Sequence, residues 1–314
     1  MSHHLDPSRL ALVFPGQGSQ SIGMMNGFAD MPVVQRTFTE ASDLLHIDLW
    51  KLAAEGPNEA LAQTVITQPI MFAAGVATFR VWQELHGPAA AVYAGHSLGE
   101  YTALVAAGAI SFGEAVPLVR FRAEAMQDAV PEGVGGIAAV LGLDESLVDA
   151  VCAQAAQGEV CEPVNLNSPG QVVIAGHRGA VERGMALAKE RGAKRAIMLP
   201  MSVPAHCSLM KPAAERFAVH LDDVHFAVPA VPVIQNAEVQ SYTSAADIKH
   251  ALVRQLYHPV RWIETIHAVA QRGVSDVLEC GPGKVLTSLN KRIDAHLHCM
   301  ALHDTASIRA ALAK

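Results

Sequence analysis

The 314-residue chain is 51% hydrophobic with a net charge of −7, so it can bury a sizeable core as one large domain or two, and a small disulfide-held scaffold is excluded. Charged residues make up 17% of the chain and form no broad basic excess, which argues against a nucleic-acid partner. Cys152, Cys161, Cys207, Cys280 and Cys299 are scattered with no C-x-x-C spacing and read as reduced thiols, while the polar stretch 1–9 has no apolar run of signal-peptide or membrane-span length. The expectation is a soluble, cytoplasmic protein that engages no membrane; His3 and His4 contribute nothing to it.

Strand-like apolar runs alternate with helical stretches and no internal repeat stands out, which predicts an α/β fold. Residues 10–14 form the first strand, halted by Pro15-Gly16-Gln17-Gly18. Pro69 opens a helix in which Ile70, Ala73, Ala74, Ala77, Val81 and Leu85 recur at helical spacing until Gly87-Pro88. Residues 89–94 read as a buried central strand, and 100–107 as a helix. Ser111 and Glu114 have the spacing of a capping box, opening a helix that runs to about residue 130. From residue 135 the order changes to strand 137–141, helix 145–156, strands 164–167 and 172–175, helix 180–190 and strand 195–199. That βαββαβ order is ferredoxin-like. It predicts a small insert over 133–203 inside a large domain built from 1–132 and 204–314. The large domain resumes with strand 231–235, helix 259–272 and strand 276–279.

Gly95-His96-Ser97-Leu98-Gly99 falls between the 89–94 strand and the following helix, the setting of a nucleophile elbow. Small residues on both sides allow a sharp turn that exposes the serine oxygen, and the helix start offers backbone N–H groups to an oxyanion. Leu98 supplies one such amide, and the glycine-rich loop 15–20 is the candidate source of a second. Gly16, Gly18 and Gly23 do not fit G-x-G-x-x-G, no G-x-x-x-x-G-K-[ST] occurs, and Gly281-Pro282-Gly283-Lys284 reads as a structural turn into a helix. None of the 15 histidines stands out by this reasoning as the base for the serine. His296-Leu297-His298-Cys299 has metal-ligand residue types, but alternation along a late strand accounts for it and no metal is expected.

Taken together, Phe14-Pro15-Gly16-Gln17-Gly18-Ser19-Gln20 and Gly95-His96-Ser97-Leu98-Gly99-Glu100 resemble the malonyl-CoA:acyl carrier protein transacylases. Arg122 with Met126-Gln127, the run from Asn165 to Gln171, Val203-Pro204-Ala205-His206-Cys207, Gln255 with Pro259-Val260-Arg261-Trp262, and Gly281-Pro282-Gly283-Lys284 are similar to that family in the same order. The resemblance spans essentially the whole chain. It implies a hydrolase-like large domain with a central, mostly parallel sheet that carries the ferredoxin-like insert. It makes Ser97 the nucleophile, His206 the base, the Gln17 and Leu98 amides the oxyanion hole, and the Gln255 backbone carbonyl the partner of the second imidazole nitrogen.

The same resemblance gives Arg122 the free carboxylate of malonate, gripped by two parallel hydrogen bonds. Helical periodicity places Arg120 and Arg122 equally beside the apolar stripe of Val116, Val119 and Ala123 and chooses neither. Gln255, Asn165, Asn167 and His96 complete the substrate-binding set, and Lys291 and Arg292 are candidates for docking an acidic carrier protein. One departure is Ala205, where the family commonly has Ser before the histidine. The implied reaction is ping-pong transfer of malonyl from malonyl-CoA to the phosphopantetheine thiol of holo acyl carrier protein, for fatty acid biosynthesis. No cofactor is implied, because the coenzyme A thioester is itself the substrate. A serine hydrolase, a catalytically idle docking subunit, and a transacylase of polyketide synthesis or of malonate decarboxylase remain alternatives.

Overall fold

The computed structural model describes residues 5–201 and 203–313; His3 and His4 lie outside them. β1 (Leu10–Phe14) is apolar throughout because both of its faces are covered. Leu10, Leu12 and Phe14 enter one core cluster and Ala11 and Val13 another, the two-residue alternation of a central parallel strand. Four helices follow: α1 (Pro32–Leu45), α2 (Leu49–Glu55), α3 (Asn58–Leu61) and α4 (Thr64–Glu84). The chain then forms β2 (Val92–Gly95), α5 (Gly99–Ala106) and α6 (Phe112–Ala129).

Next come β3 (Gly135–Leu141), α7 (Glu145–Ala156), β4 (Cys161–Ser168), β5 (Gln171–His177), α8 (Arg178–Glu190) and β6 (Arg195–Met198). The last part contains α9 (Lys211–Asp222), β7 (Val233–Ile234), α10 (Ala245–Gln255) and α11 (Trp262–Gln271). It closes with β8 (Asp276–Cys280), α12 (Val285–Ile293), β9 (His298–Leu302) and α13 (Thr305–Leu312). The fold is α/β.

The larger sheet has the order β7-β2-β1-β8-β9, with every pairing parallel. All its carboxyl ends therefore open on one edge, where open α/β sheets place their ligands. The second sheet, β4-β5-β3-β6, is antiparallel. Two hydrogen bonds join it to the segment before α11, from Leu166 N–H to Val260 O at 3.0 Å and from Val260 N–H to Val164 O at 2.9 Å.

The structure corrects several expected boundaries. The helix expected to open at Pro69 starts at Thr64 and takes the proline inside it. Pro69 has no N–H to give the Val65 carbonyl, and Arg120 Nη1 donates to that oxygen instead, at 2.7 Å. α4 is long and apolar enough to cross a membrane, but 83% of that stretch is packed inside the protein. The capping box at Ser111 is half made: Ser111 Oγ accepts from Glu114 N–H, while the Glu114 carboxylate takes the Ser111 hydroxyl and the His225 N–H rather than an amide at the helix start. The strand expected over 231–235 shortens to two residues.

Candidate active site

Between β2 and α5 the chain turns at Ser97, whose φ of +51° is a left-handed conformation. A non-glycine residue holds it at a cost of about 1–3 kcal/mol, and only where its surroundings over-determine it. A Cβ on Gly95 would lie 1.9 Å from the Gly99 carbonyl carbon, and one on Gly99 2.0 Å from the Phe14 oxygen, so the turn closes only with glycine at both places. The loop over 15–20 packs against the elbow just as tightly, since a Cβ on Gly16 would meet the His96 oxygen at 2.4 Å. Gln17 and Leu98 both line the cleft beside Ser97. The Gln17 side chain is turned to Thr64 Oγ1 at 3.4 Å, and the Gly18 N–H is taken by Gln20 Oε1 at 2.7 Å.

Ser97 Oγ stands 2.7 Å from His206 Nε2, and His206 Nδ1 stands 2.7 Å from the backbone oxygen of Gln255. A carbonyl only accepts, so Nδ1 carries the proton and Nε2 turns its lone pair to the serine hydroxyl. Burial, reinforced by the nearby Arg122 cation, pushes the His206 pKa down to about 3. The imidazole is therefore neutral at ordinary pH and placed to accept the Ser97 proton. Its backbone is held as well: His206 has a φ of +67° and its N–H donates to Leu256 O, just past α10, at 3.0 Å.

Arg122 is 1% exposed, and α6, which periodicity alone did not orient, turns it, not Arg120, to the serine, as the resemblance implied. Its Nη1 donates to Gln68 Oε1 at 2.6 Å, and its Nη2 to Gln255 Oε1 at 2.9 Å and Ser97 Oγ at 3.3 Å. The guanidinium carbon lies 5.3 Å from the Tyr101 ring centre, and Nε has no hydrogen-bond partner among the described residues. A buried cation whose partners are neutral is a ready counter-charge for a carboxylate brought into the cleft. Gln68 is itself fixed, its Nε2 donating to Met126 Sδ at 3.6 Å. Arg120 pairs with Glu124 at 2.6 Å.

The cleft has a volume of about 400 Å³. One wall is the 15–20 loop, the elbow, Arg122 and His206; the other includes Ile137, Ala139 and Val173 from the antiparallel sheet, with Leu286 and Leu289 of α12 alongside. His96 Nε2 is 2.8 Å from Asn167 Oδ1, and its ring packs 5.4 Å from Trp262 between centres, so its polar edge is already engaged. Burial holds His96 below the usual imidazole range. Asn165 lines the cleft, its buried Oδ1 without a hydrogen bond among the described residues. Ala205 lines it too. Gln255 is fully buried behind the wall and reaches the site through Arg122, Ser97 and His206.

Lys291 and Arg292 are exposed in the last turn of α12. Arg292 Nη2 donates to Gln171 Oε1, and Gln171 lines the cleft. The 281–284 turn leads from β8 to α12, whose first amides, of Leu286 and Thr287, donate to the buried Glu279 carboxylate at 3.0 and 2.7 Å. His298 is exposed and Cys299 buried, as alternation on β9 requires. Among the described residues no group of three or more His, Cys, Asp or Glu side chains is placed to hold a metal ion. All five cysteines are buried and unpaired.

Sequence reasoning gave no role to Gln68, Asn236 or Glu100, and it placed Gln255 in the substrate-binding set without its side-chain bonds to Arg122 and Ser97. Asn236 had a usable signal, since it follows a predicted strand of the large domain and carboxyl ends of parallel strands face the cleft. Glu100 and Gln68 are polar residues in otherwise apolar helical stretches, a pattern that marks buried polar partners without naming them.

The acyl transferase domain family matches residues 11–295. The malonyl CoA-acyl carrier protein transacylase of Salmonella typhimurium is 53% identical over 306 residues, 97% of this chain and 99% of the relative. That of Bacillus subtilis is 44% identical, covering 97% and 96%. Among solved structures, the malonyl CoA-acyl carrier protein transacylase of Coxiella burnetii superposes with a TM-score of 0.96 at 48% identity, over 98% and 97% of the two chains. A malonyl-transacylase solved in complex with its type II PKS acyl-carrier protein gives 0.95 at 53% identity, over 97% and 99%. A match this long, on relatives about half identical from end to end, means that the chain belongs to the acyl transferase family as one of its malonyl CoA-acyl carrier protein transacylases.

Proposed function

We propose that this chain transfers a malonyl group from malonyl-CoA to the phosphopantetheine thiol of holo acyl carrier protein, in fatty acid biosynthesis. The observation that carries the reading is the buried Arg122 with its Nη2 3.3 Å from Ser97 Oγ. It puts a carboxylate-gripping cation within one acyl chain of the nucleophile. His206 Nε2 takes the Ser97 proton as Oγ bonds to the thioester carbonyl carbon, and the Gln17 and Leu98 amides receive the oxyanion. The C–S bond then breaks, His206 returns the proton to the leaving coenzyme A thiolate, and malonyl-serine remains. In the second half the carrier thiol gives its proton to His206 and attacks the same carbonyl carbon, and Ser97 leaves protonated. Asn165, Asn167 and His96 bound the part of the cleft next to the acyl group, and Lys291 and Arg292 offer positive charge to the carrier. The thioester is already activated, so the chemistry asks for no cofactor.

In this reading residues 1–132 and 204–314 form the hydrolase-like domain with the nucleophile, and 133–203 a ferredoxin-like insert that covers it. The insert's 2-3-1-4 strand order, counted within itself, supports the assignment. The reading also places the enzyme in the cytoplasm, where reduced cysteines and a soluble carrier agree with it. Polyketide synthesis is a second setting, favoured by the likeness to the transacylase solved with a type II PKS carrier. Initial rates over a grid of malonyl-CoA and holo carrier concentrations test the function: parallel double-reciprocal lines with little free malonate are expected. Intersecting lines, or malonate released faster than malonyl-carrier forms, would point to a different enzyme.

A further inference from the structure

We propose that Asn236 and Glu100 form a positioning pair, Asn236 clamping the elbow on both sides of His96 and Glu100 fixing Asn236 in turn. The inference rests on the reading of Ser97 as nucleophile. Asn236 Oδ1 accepts the Ser97 N–H at 2.7 Å, and Asn236 Nδ2 donates to the Gly95 oxygen at 2.6 Å. β7 pairs with β2 only at Tyr93 and Ala94, through Val233 and Ile234. Past that point the strands no longer run side by side, and the Asn236 amide takes over the donor and acceptor that a further peptide of β7 would have satisfied.

Asn236 is held from its own backbone. Its N–H donates to Glu100 Oε2 at 2.6 Å, and its oxygen accepts from Arg261 N–H at 3.3 Å. Glu100 sits in the first turn of α5, so the clamp ties the residue before the elbow, the elbow and the helix after it into one unit. Ser97 O adds a third tie, accepting from Gln255 Nε2 at 2.9 Å. These bonds are what over-determine the left-handed backbone of Ser97 and so hold its oxygen at 2.7 Å from His206. Glu100 is fully buried, and burial raises its pKa to about 8. The role asks of it only an acceptor oxygen, which either protonation state supplies.

The test is quenched-flow labelling of Ser97 by radiolabelled malonyl-CoA, with Kd for malonyl-CoA measured separately. Asn236→Ala is expected to slow labelling about 100-fold, the effect of a misplacement of about 1 Å, with Kd unchanged within about threefold. Glu100→Ala should slow it in the same sense, Glu100→Gln should recover most of that loss, and the double alanine variant should be little slower than Asn236→Ala alone. Should Asn236→Ala not fold, Asn236→Asp keeps the acceptor for Ser97 and the side-chain volume but turns an oxygen to Gly95, and an intermediate loss is expected. Labelling of folded Asn236 variants at the wild-type rate, a change confined to Kd, or Glu100→Gln as slow as Glu100→Ala would overturn the pair. Wild-type protein that takes no label would overturn the function itself and leave the pair without a reaction to serve.

Discussion

On the large-sheet side of the cleft, the polar side chains around Ser97 are bonded to one another, whereas the antiparallel sheet offers Ile137, Ala139 and Val173. The first wall is a hydrogen-bonded network in which Gln255 is bonded to Arg122, Ser97 and His206. The second wall is a largely apolar cover, with Asn165, Asn167 and Gln171 as its polar members. In the proposed reading the difference separates two tasks: bond making and carboxylate recognition sit on one wall, and the exclusion of water and the fit of the acyl chain fall mainly to the other. Substitutions on the two walls should therefore leave different kinetic traces.

The largest effect belongs to the network. His206→Ala should lower the rate of serine acylation by about 10⁴-fold or more, read by rapid-quench labelling, since the base and its oriented proton are lost together. A loss under about tenfold would move the base elsewhere and dissolve the contrast. Arg122→Ala should follow, cutting the preference for malonyl-CoA over acetyl-CoA about 100-fold, close to 3 kcal/mol, in competition assays. An unchanged preference would remove Arg122 from the account and leave recognition to the apolar wall.

A third test uses pH. The His206 pKa is lowered to about 3, so the neutral base persists below the range where an ordinary histidine charges. Acylation should stay level from about pH 7.5 to about pH 5.5, and a tenfold fall centred near 6.5 would contradict the buried, desolvated imidazole. The sign for stability is fixed by the same shift. Below about pH 6.5 the unfolded chain binds a proton at His206 that the folded chain refuses, so this residue's contribution is full above that value and is lost as pH falls toward about 3. Denaturant melts should accordingly show less acid sensitivity in His206→Ala. The smallest effect belongs to the cover: Val173→Ala should raise KM for malonyl-CoA about two- to threefold with kcat nearly unchanged and cost about 1–2 kcal/mol of stability. A tenfold fall in kcat there would give the second wall a chemical role.

The same contrast explains what the sequence made legible. The elbow is a local motif, so its glycines, its strand and its helix could be read from spacing, and the element order from β3 to β6 followed from simple alternation. Pro69 misled because its cost is met by Arg120, 51 residues further along the chain, and no local rule contains that partner. His206 sits in a loop, and its role depends on Gln255, 49 residues away, so only the family resemblance singled it out. Asn236 meets Ser97 across 139 residues; its place after a predicted strand points to the cleft but not to this partner. Chemistry assembled from distant loops leaves its trace in three dimensions first.

The most direct measurement is the intact mass of the protein after brief exposure to malonyl-CoA. One added malonyl group is expected, located on Ser97, absent in Ser97→Ala and discharged when holo acyl carrier protein is added. A wild-type protein that gains no mass, or a Ser97→Ala variant that gains the same mass, would contradict it.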